Sequence, residues 1–281
     1  MFGIEIDVAK VVNSIVDFIT ARLSSSTRAV SSVIETIIEF IVNISLAIPT
    51  IVVIIIVGLI IWKVANLKIA LGGVISLVLI AFMGLWPEAI NTIVLVLMST
   101  TLALGIAIPL GVLMALNDKV SKVLRSILDL MQTMPAFVYL IPVVMFFGIG
   151  KVPAVFAIIV FCMPPAIRLT DLGIRGVATE VKEAAISYGA TRWELLFDVQ
   201  FPLAIPTIMA GVSQCIMLSL SMAVIASMIG AAGLGGEVLR GIAGMNIGTG
   251  FEAGISIVFL AVLLDRVVAE FTKKSQIKVK K

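Results

Sequence analysis

The stretch EVKEAAISYGATRWELLFDVQFPLAIP, residues 180–206, is a charged island between two long apolar runs. FAIIVFCMPPAIRLTDLGIRGV (156–177) precedes it and TIMAGVSQCIMLSLSMAVIASMIG (207–230) follows it. It is too polar for lipid and too helix-prone for a plain linker. Glu183, Ala184 and Ala185 open a helical pattern and Gly189 interrupts it. Trp193, Glu194, Leu195 and Leu196 resume it until Pro202 ends it. The pattern predicts a helix, a glycine turn and a second short helix lying across a membrane surface. Trp193, Leu195, Leu196 and Phe197 beside Arg192, Glu194 and Asp198 make the second helix amphipathic, a shape that fills a groove on a partner.

Working outward, 60% of the 281 residues are hydrophobic and 13% charged, which places the chain among multi-span helical membrane proteins. The net charge of +3 does not mark a nucleic-acid binder, because the basic residues are not gathered on one folded face. With no histidine anywhere, histidine proton relays, histidine metal sites and Ser-His catalysis are all excluded. Cys162 and Cys215 fall inside predicted spans and read as small apolar fillers. No cleavable signal precedes the first segment, so the N-terminus is expected to be retained.

The predicted fold is an all-α polytopic membrane protein of about seven spans, at 45–62, 69–86, 89–116, 126–148, 152–172, 204–229 and 251–269. Residues 1–44 read as two amphipathic interfacial helices, 4–23 and 28–43, separated by Ser24, Ser25 and Ser26. Glu35 and Glu39 argue that the second lies on the membrane rather than through it. The organisation is then an interfacial segment (1–44), two peripheral spans (45–86), a five-helix core (87–270) with the loop 177–203, and a basic tail (271–281). Residues 230–250, rich in glycine, read as a turn or re-entrant stretch on the opposite side.

Basic residues set the orientation. With the loop cytoplasmic, 15 of the 20 fall inside: Lys63, Lys68, Lys119, Lys122, Arg125, Arg168, Arg175, Lys182, Arg192, Arg266, Lys273, Lys274, Lys278, Lys280 and Lys281. Lys10, Arg22, Arg28, Lys151 and Arg240 remain outside. The N-terminus is therefore expected outside and the C-terminus in the cytoplasm of a bacterial or archaeal cell.

Charges in the spans sit near their ends, at Glu88, Asp129, Arg168, Asp171, Asp265 and Arg266. Ion-coupled transporters keep ionisable groups at mid-membrane, so their absence weakens that class. There is no G-x-x-x-x-G-K-[ST] loop, so the chain does not itself hydrolyse ATP by that mechanism. Pro135 and Pro142, seven residues apart, and Pro164 and Pro165 predict kinked helices suited to rocking. Gln132, Thr133, Met134, Pro135, Tyr139, Pro142, Gln214, Ser219 and Ser221 are the candidate lining of a passage.

The loop resembles the E-A-A motif of binding-protein-dependent ABC importer permeases: E-A-A, three residues, G, nine residues, I-x-L-P. Here Glu183, Ala184, Ala185 and Gly189 match, Val199 and Phe201 stand for Ile and Leu, and Pro202 closes the motif. The resemblance implies a loop that docks on a cytoplasmic ATPase through Glu183, Ala184, Ala185, Gly189, Ala190, Trp193 and Pro202, with Glu183 anchoring it to neighbouring groups. LDLMQTMPAFVYLIPVVMFFGIG, MPPAIRLT and QCIMLSLSMAVIASMIGAAGLGGEV resemble osmoprotectant permeases that import glycine betaine and proline betaine. What that implies is a type I ABC importer transmembrane fold and a homodimer with two ATPase subunits and an extracytoplasmic binding protein. No cofactor is expected in this chain, ATP and magnesium being held by the ATPase. An osmotically gated channel or facilitator and a non-transporting scaffold are the other readings of the same residues.

Overall fold

The computed structural model describes residues 8–279, and the side chains of Arg22 and 27–270 within them. The chain opens with α1 (Val8–Ala47), then α2 (Thr50–Val64) and α3 (Leu67–Phe82) as a hairpin. The core follows as α4 (Trp86–Leu116), α5 (Asp118–Thr133), α6 (Leu140–Phe147) and α7 (Lys151–Arg175). The loop holds α8 (Thr179–Ser187) and α9 (Arg192–Glu194), and α10 (Phe201–Ala226), α11 (Leu234–Ala243) and α12 (Ile247–Val279) complete the order.

Helices dominate because apolar runs in lipid must satisfy their own backbone groups. What brings them together is small residues. At the centre, α7 is clasped by α4 and α10, and Ala103, Ala107, Ala154, Ala157 and Cys162 have no exposed surface. A methyl group at Gly111 would lie 2.4 Å from Thr170 Cβ, and one at Gly211 3.1 Å from the Ala166 Cα. Without those side chains the backbones approach closely enough for dispersion to hold them, where lipid offers no hydrophobic drive. Thr100 donates across to Ser219 Oγ at 2.9 Å, and Ser219 donates to the Cys215 carbonyl.

Depth is readable from the cross-contacts. Asp118 pairs with Arg175, Asp129 with Arg168, Tyr139 packs edge-on against Phe161, and Phe147 stacks on Phe156. The segment from α5 to α6 therefore climbs steadily along α7. It does so with a bend of 111° between Thr133 and Ala136, not as the straight span expected over 126–148. Pro135 causes the break, since it forces Met134 out of helical geometry (ψ 134°). Pro142 falls in the first turn of α6, where a missing N–H costs nothing, so only the first of the two prolines kinks the path.

Three further expectations change. Two N-terminal helices were expected, but α1 is one 40-residue helix running through Ser24–Ser26; the serine side chains and residues 1–7, including Ile4, lie outside the described residues. Among the described residues five helices are long and apolar enough to cross a membrane, or six with the bent pair, and Thr27–Ala47 is one of them. The hairpin helices, of 15 and 16 residues, are shorter than the roughly 20 expected of a span. Even so, α3 follows α12 from Arg266 and Glu270 beside Asn66 to Ser256 beside Met83. The 230–250 stretch holds α11, tied to the start of α4 where the Leu234 N–H donates to Thr92 Oγ1 at 2.8 Å. The basic tail is helical to Val279, and its lysine side chains lie outside the described residues.

Candidate functional site: a docking loop and a polar cleft

Among the described residues the ion pairs that join α5 to α7 collect at one end of the bundle, and the 177–200 loop hangs from that end. Asp171, 3% exposed, accepts from Arg175 Nε at 2.6 Å and from Arg125 at 2.9 Å. Arg175 also reaches Asp118 at 2.6 Å and the Met114 carbonyl, so one guanidinium ties three helix ends. The sequence marked Asp171 only as an end-of-span charge and Arg175 only as a basic residue of the inner side; their spacing of four, i to i+4, was the signal for the pair.

In the loop, α8 ends at Gly189, whose φ of +88° is left-handed backbone that an L side chain rarely adopts. Its N–H donates to the Ile186 carbonyl and that of Ala190 to Ala185, closing the helix end. Thr191 then caps the next helix: its N–H donates to Glu194 Oε2 at 2.7 Å, while the Glu194 N–H donates back to Thr191 Oγ1 at 3.4 Å. Those bonds to the Thr191 backbone, then to its side chain, hold the Glu194 carboxyl below the usual range.

The expected end of that helix at Pro202 is corrected. Arg192–Ile229 is one continuous helical run of 38 residues. Residues Leu195–Gln200 form a widened π-type turn in which the Phe201 N–H reaches back to the Leu196 carbonyl. The extra residue in the turn moves the hydrogen-bond frame so that Pro202, which has no N–H, opens α10 without breaking it. Leu196 has no exposed surface and packs with Ile174, Ala204 and Ile208 in a small core of its own. Gln200 donates to the Ile174 carbonyl and Lys182 to that of Arg175, both at 3.5 Å. The loop is thus rigidly joined to α7 and α10.

What faces outward is a set of contact groups. Tyr188 is 94% exposed and Trp193 65%, and Trp193 stacks on Phe197 at 5.9 Å. Glu183 and Ala184 are exposed, Ala185 and Ala190 half-buried. Glu183 makes no hydrogen bond or ion pair among the described residues, and its carboxylate is exposed. The stacked pair therefore leaves an uncovered aromatic surface at a helix–turn–helix tip.

Above the loop, α5, α7 and α10 enclose a cleft of about 600 Å³. It gathers Gln132 and Gln214 with Arg125, Asp129, Arg168 and Asp171. Charges on an otherwise apolar helix surface belong to water, not lipid. Of the residues expected to line a passage, Gln132 and Gln214 meet there, and Thr133, Pro135, Pro142 and Ser221 are exposed. Ser219 does not line it, because it is buried in the Thr100 bond between α4 and α10. Met134 is half-buried; Tyr139 is buried and its hydroxyl donates to the Met131 carbonyl across the kink. Arg168 and Asp129, which the sequence marked only as charges near span ends, pair within the cleft.

Residues 107–275 match the model of the family described as binding-protein-dependent transport system inner membrane component. The chain is 52% identical over 203 residues to the glycine betaine/carnitine transport permease protein GbuB of Listeria monocytogenes, covering 72% of each chain. It is 41% identical over 276 residues to the glycine betaine transport system permease protein OpuAB of Bacillus subtilis, covering 98% of this chain and 96% of that one. To the glycine betaine/proline betaine permease ProW of Escherichia coli it is 46% identical, spanning 82% of this chain and 65% of ProW. Among solved structures, the inward-facing MetNI methionine ABC transporter superposes with a TM-score of 0.61 at 20% identity, covering 66% of this chain and 93% of that one. That likeness is one of fold.

Proposed function

This chain belongs to the family of binding-protein-dependent transport system inner membrane components, and from that premise we propose how it works. It is the membrane-spanning permease subunit of an ABC importer for compatible solutes of the glycine betaine class, which includes proline betaine, carnitine and choline. A separate ATPase grips α8, α9 and the Trp193–Phe197 stack from the cytoplasm, and an extracytoplasmic binding protein delivers solute at the opposite end. Two copies of the chain act together with two ATPase subunits, which hold the ATP and magnesium.

The observation that carries this reading is the unbroken helix from Arg192 to Ile229. Force applied at Trp193 passes through the Leu196 core into α10, which packs along α7. A docking element continuous with a span is a lever; one on a flexible linker is not. When the ATPases close on nucleotide, the loops draw together and α10 swings against α7. The polar cleft then changes from open inside to open outside, and selectivity resides in the binding protein. Among the described residues most basic side chains lie at the loop end, which supports a cytoplasmic loop and C-terminus.

Reconstitution tests this. Permease, ATPase and binding protein in proteoliposomes should accumulate glycine betaine only with ATP, and permease alone should pass none. Flux down a gradient through permease alone would identify a channel instead.

A further inference from the structure

A second cavity, of about 440 Å³, lies between α3 and α12, away from the loop and the polar cleft. Its floor is Gly72 and Gly73. A methyl at Gly73 would come within 2.5 Å of Leu263, so this glycine lets α3 close on α12; a methyl at Gly72 would meet nothing, leaving a slot. The slot is flanked by exposed Leu71, Ile75 and Val262, an apolar surface of the kind that faces acyl chains.

The mouth of the slot is different in kind. Lys68 and Arg266 line it, both exposed and neither holding an ion pair or hydrogen bond among the described residues. Asn66 caps α3 through its side-chain oxygen, bonded to the Ile69 N–H at 3.0 Å, which leaves its amide N–H groups to donate outward. The positive end of the α3 dipole opens on the same spot. Glu270 also lines the mouth and already has a partner. Trp62, 53% exposed one turn before Asn66, has the position of a membrane–water boundary anchor.

We infer that this slot is a binding site for an anionic phospholipid of the loop-side leaflet, its phosphate on Lys68 and Arg266 and an acyl chain over Gly72 and Gly73. Charge complementarity selects the occupant: two unpaired cations and a helix N-terminus at the boundary face, with an apolar trough continuing toward the bilayer centre. The lipid then bridges the peripheral hairpin to α12 along the seam where Leu263 meets Gly73.

Native mass spectrometry of the full-length permease in mixed micelles tests the site, comparing phosphatidylglycerol with phosphatidylcholine of the same acyl chains. Wild type should retain phosphatidylglycerol about tenfold better. The double variant Lys68→Gln with Arg266→Gln should remove that preference, and Gly72→Leu should lower retention of both lipids while the protein still elutes as a folded species. Equal retention of the two lipids by wild type would overturn the inference, as would an unchanged preference in the double variant. Displacement of the lipid by inorganic phosphate alone would reduce the site to an anion pocket. Loss of self-association without loss of lipid would make the face an interface between copies. Neither basic residue lies in the loop or cleft, so the outcome is independent of the transport reading.

Discussion

Consider Gly189→Val. The position has φ +88°, and a Cβ there meets no atom within 4 Å. The substitution therefore creates no clash, only backbone strain, and a β-branched residue is among the least tolerant of that region. Left-handed backbone costs an L residue about 1–2 kcal/mol. That lowers the equilibrium constant for the native turn by a factor of about 5–30, the most by which its population can fall. The rest of the bundle shares no contact with residue 189, so membrane insertion and thermal unfolding of the purified permease should be nearly unchanged. If docking requires this turn between α8 and α9, ATP-driven uptake into proteoliposomes with ATPase and binding protein should fall, by up to about 5- to 30-fold. Gly189→Asn is the control, since asparagine tolerates left-handed backbone and should keep most of the activity. Wild-type uptake by the valine variant, or equal damage by asparagine, would refute the reasoning.

Other outcomes follow from the same geometry. Glu194→Gln keeps the capping box, which glutamine also forms. The folded-state pKa of Glu194 is depressed, so its cap is present above the unfolded value and lost as pH falls through the folded one; ATPase-coupled uptake should decline on acidification in wild type and stay flat in the variant. Asp171→Asn removes the negative charge and one of the two oxygens that Arg125 and Arg175 share, and should lower stability by about 1.5–3 kcal/mol, read as a reduced melting temperature; an unchanged one would show the cluster to be inert. Gly111→Ala forces a methyl to 2.4 Å from Thr170 and 2.7 Å from the Ile167 carbonyl, and should destabilise by about 1–3 kcal/mol through separation of α4 and α7.

The fold class and the loop were legible in the sequence because both are written in local pattern. Apolar runs bounded by charges predict spans, and E-A-A followed by Gly189 predicts helix and turn; Gly189 indeed holds positive φ. The 111° bend was not legible, because a proline announces a break without giving its direction, which the packing of Tyr139 on Phe161 sets. The continuity through Pro202 was missed for a related reason: a widened turn depends on Leu196 finding a buried seat, a fact about tertiary contact. Ser24–Ser26 read as a separator because serine favours caps, yet propensity is a weak prior inside a long helix. Ser219 looked like lining until its partner Thr100, 119 residues earlier, was in view.

In the proposed mechanism an ATPase seizes the loop from the cytoplasm and drives α10. Tyr188, 94% exposed at the loop tip, offers the direct probe, because the native Cys162 and Cys215 are fully buried. A Tyr188→Cys variant should react with a membrane-impermeant maleimide in inverted vesicles and not in intact cells, and bound ATPase should shield it. Labelling of intact cells from outside would contradict the account.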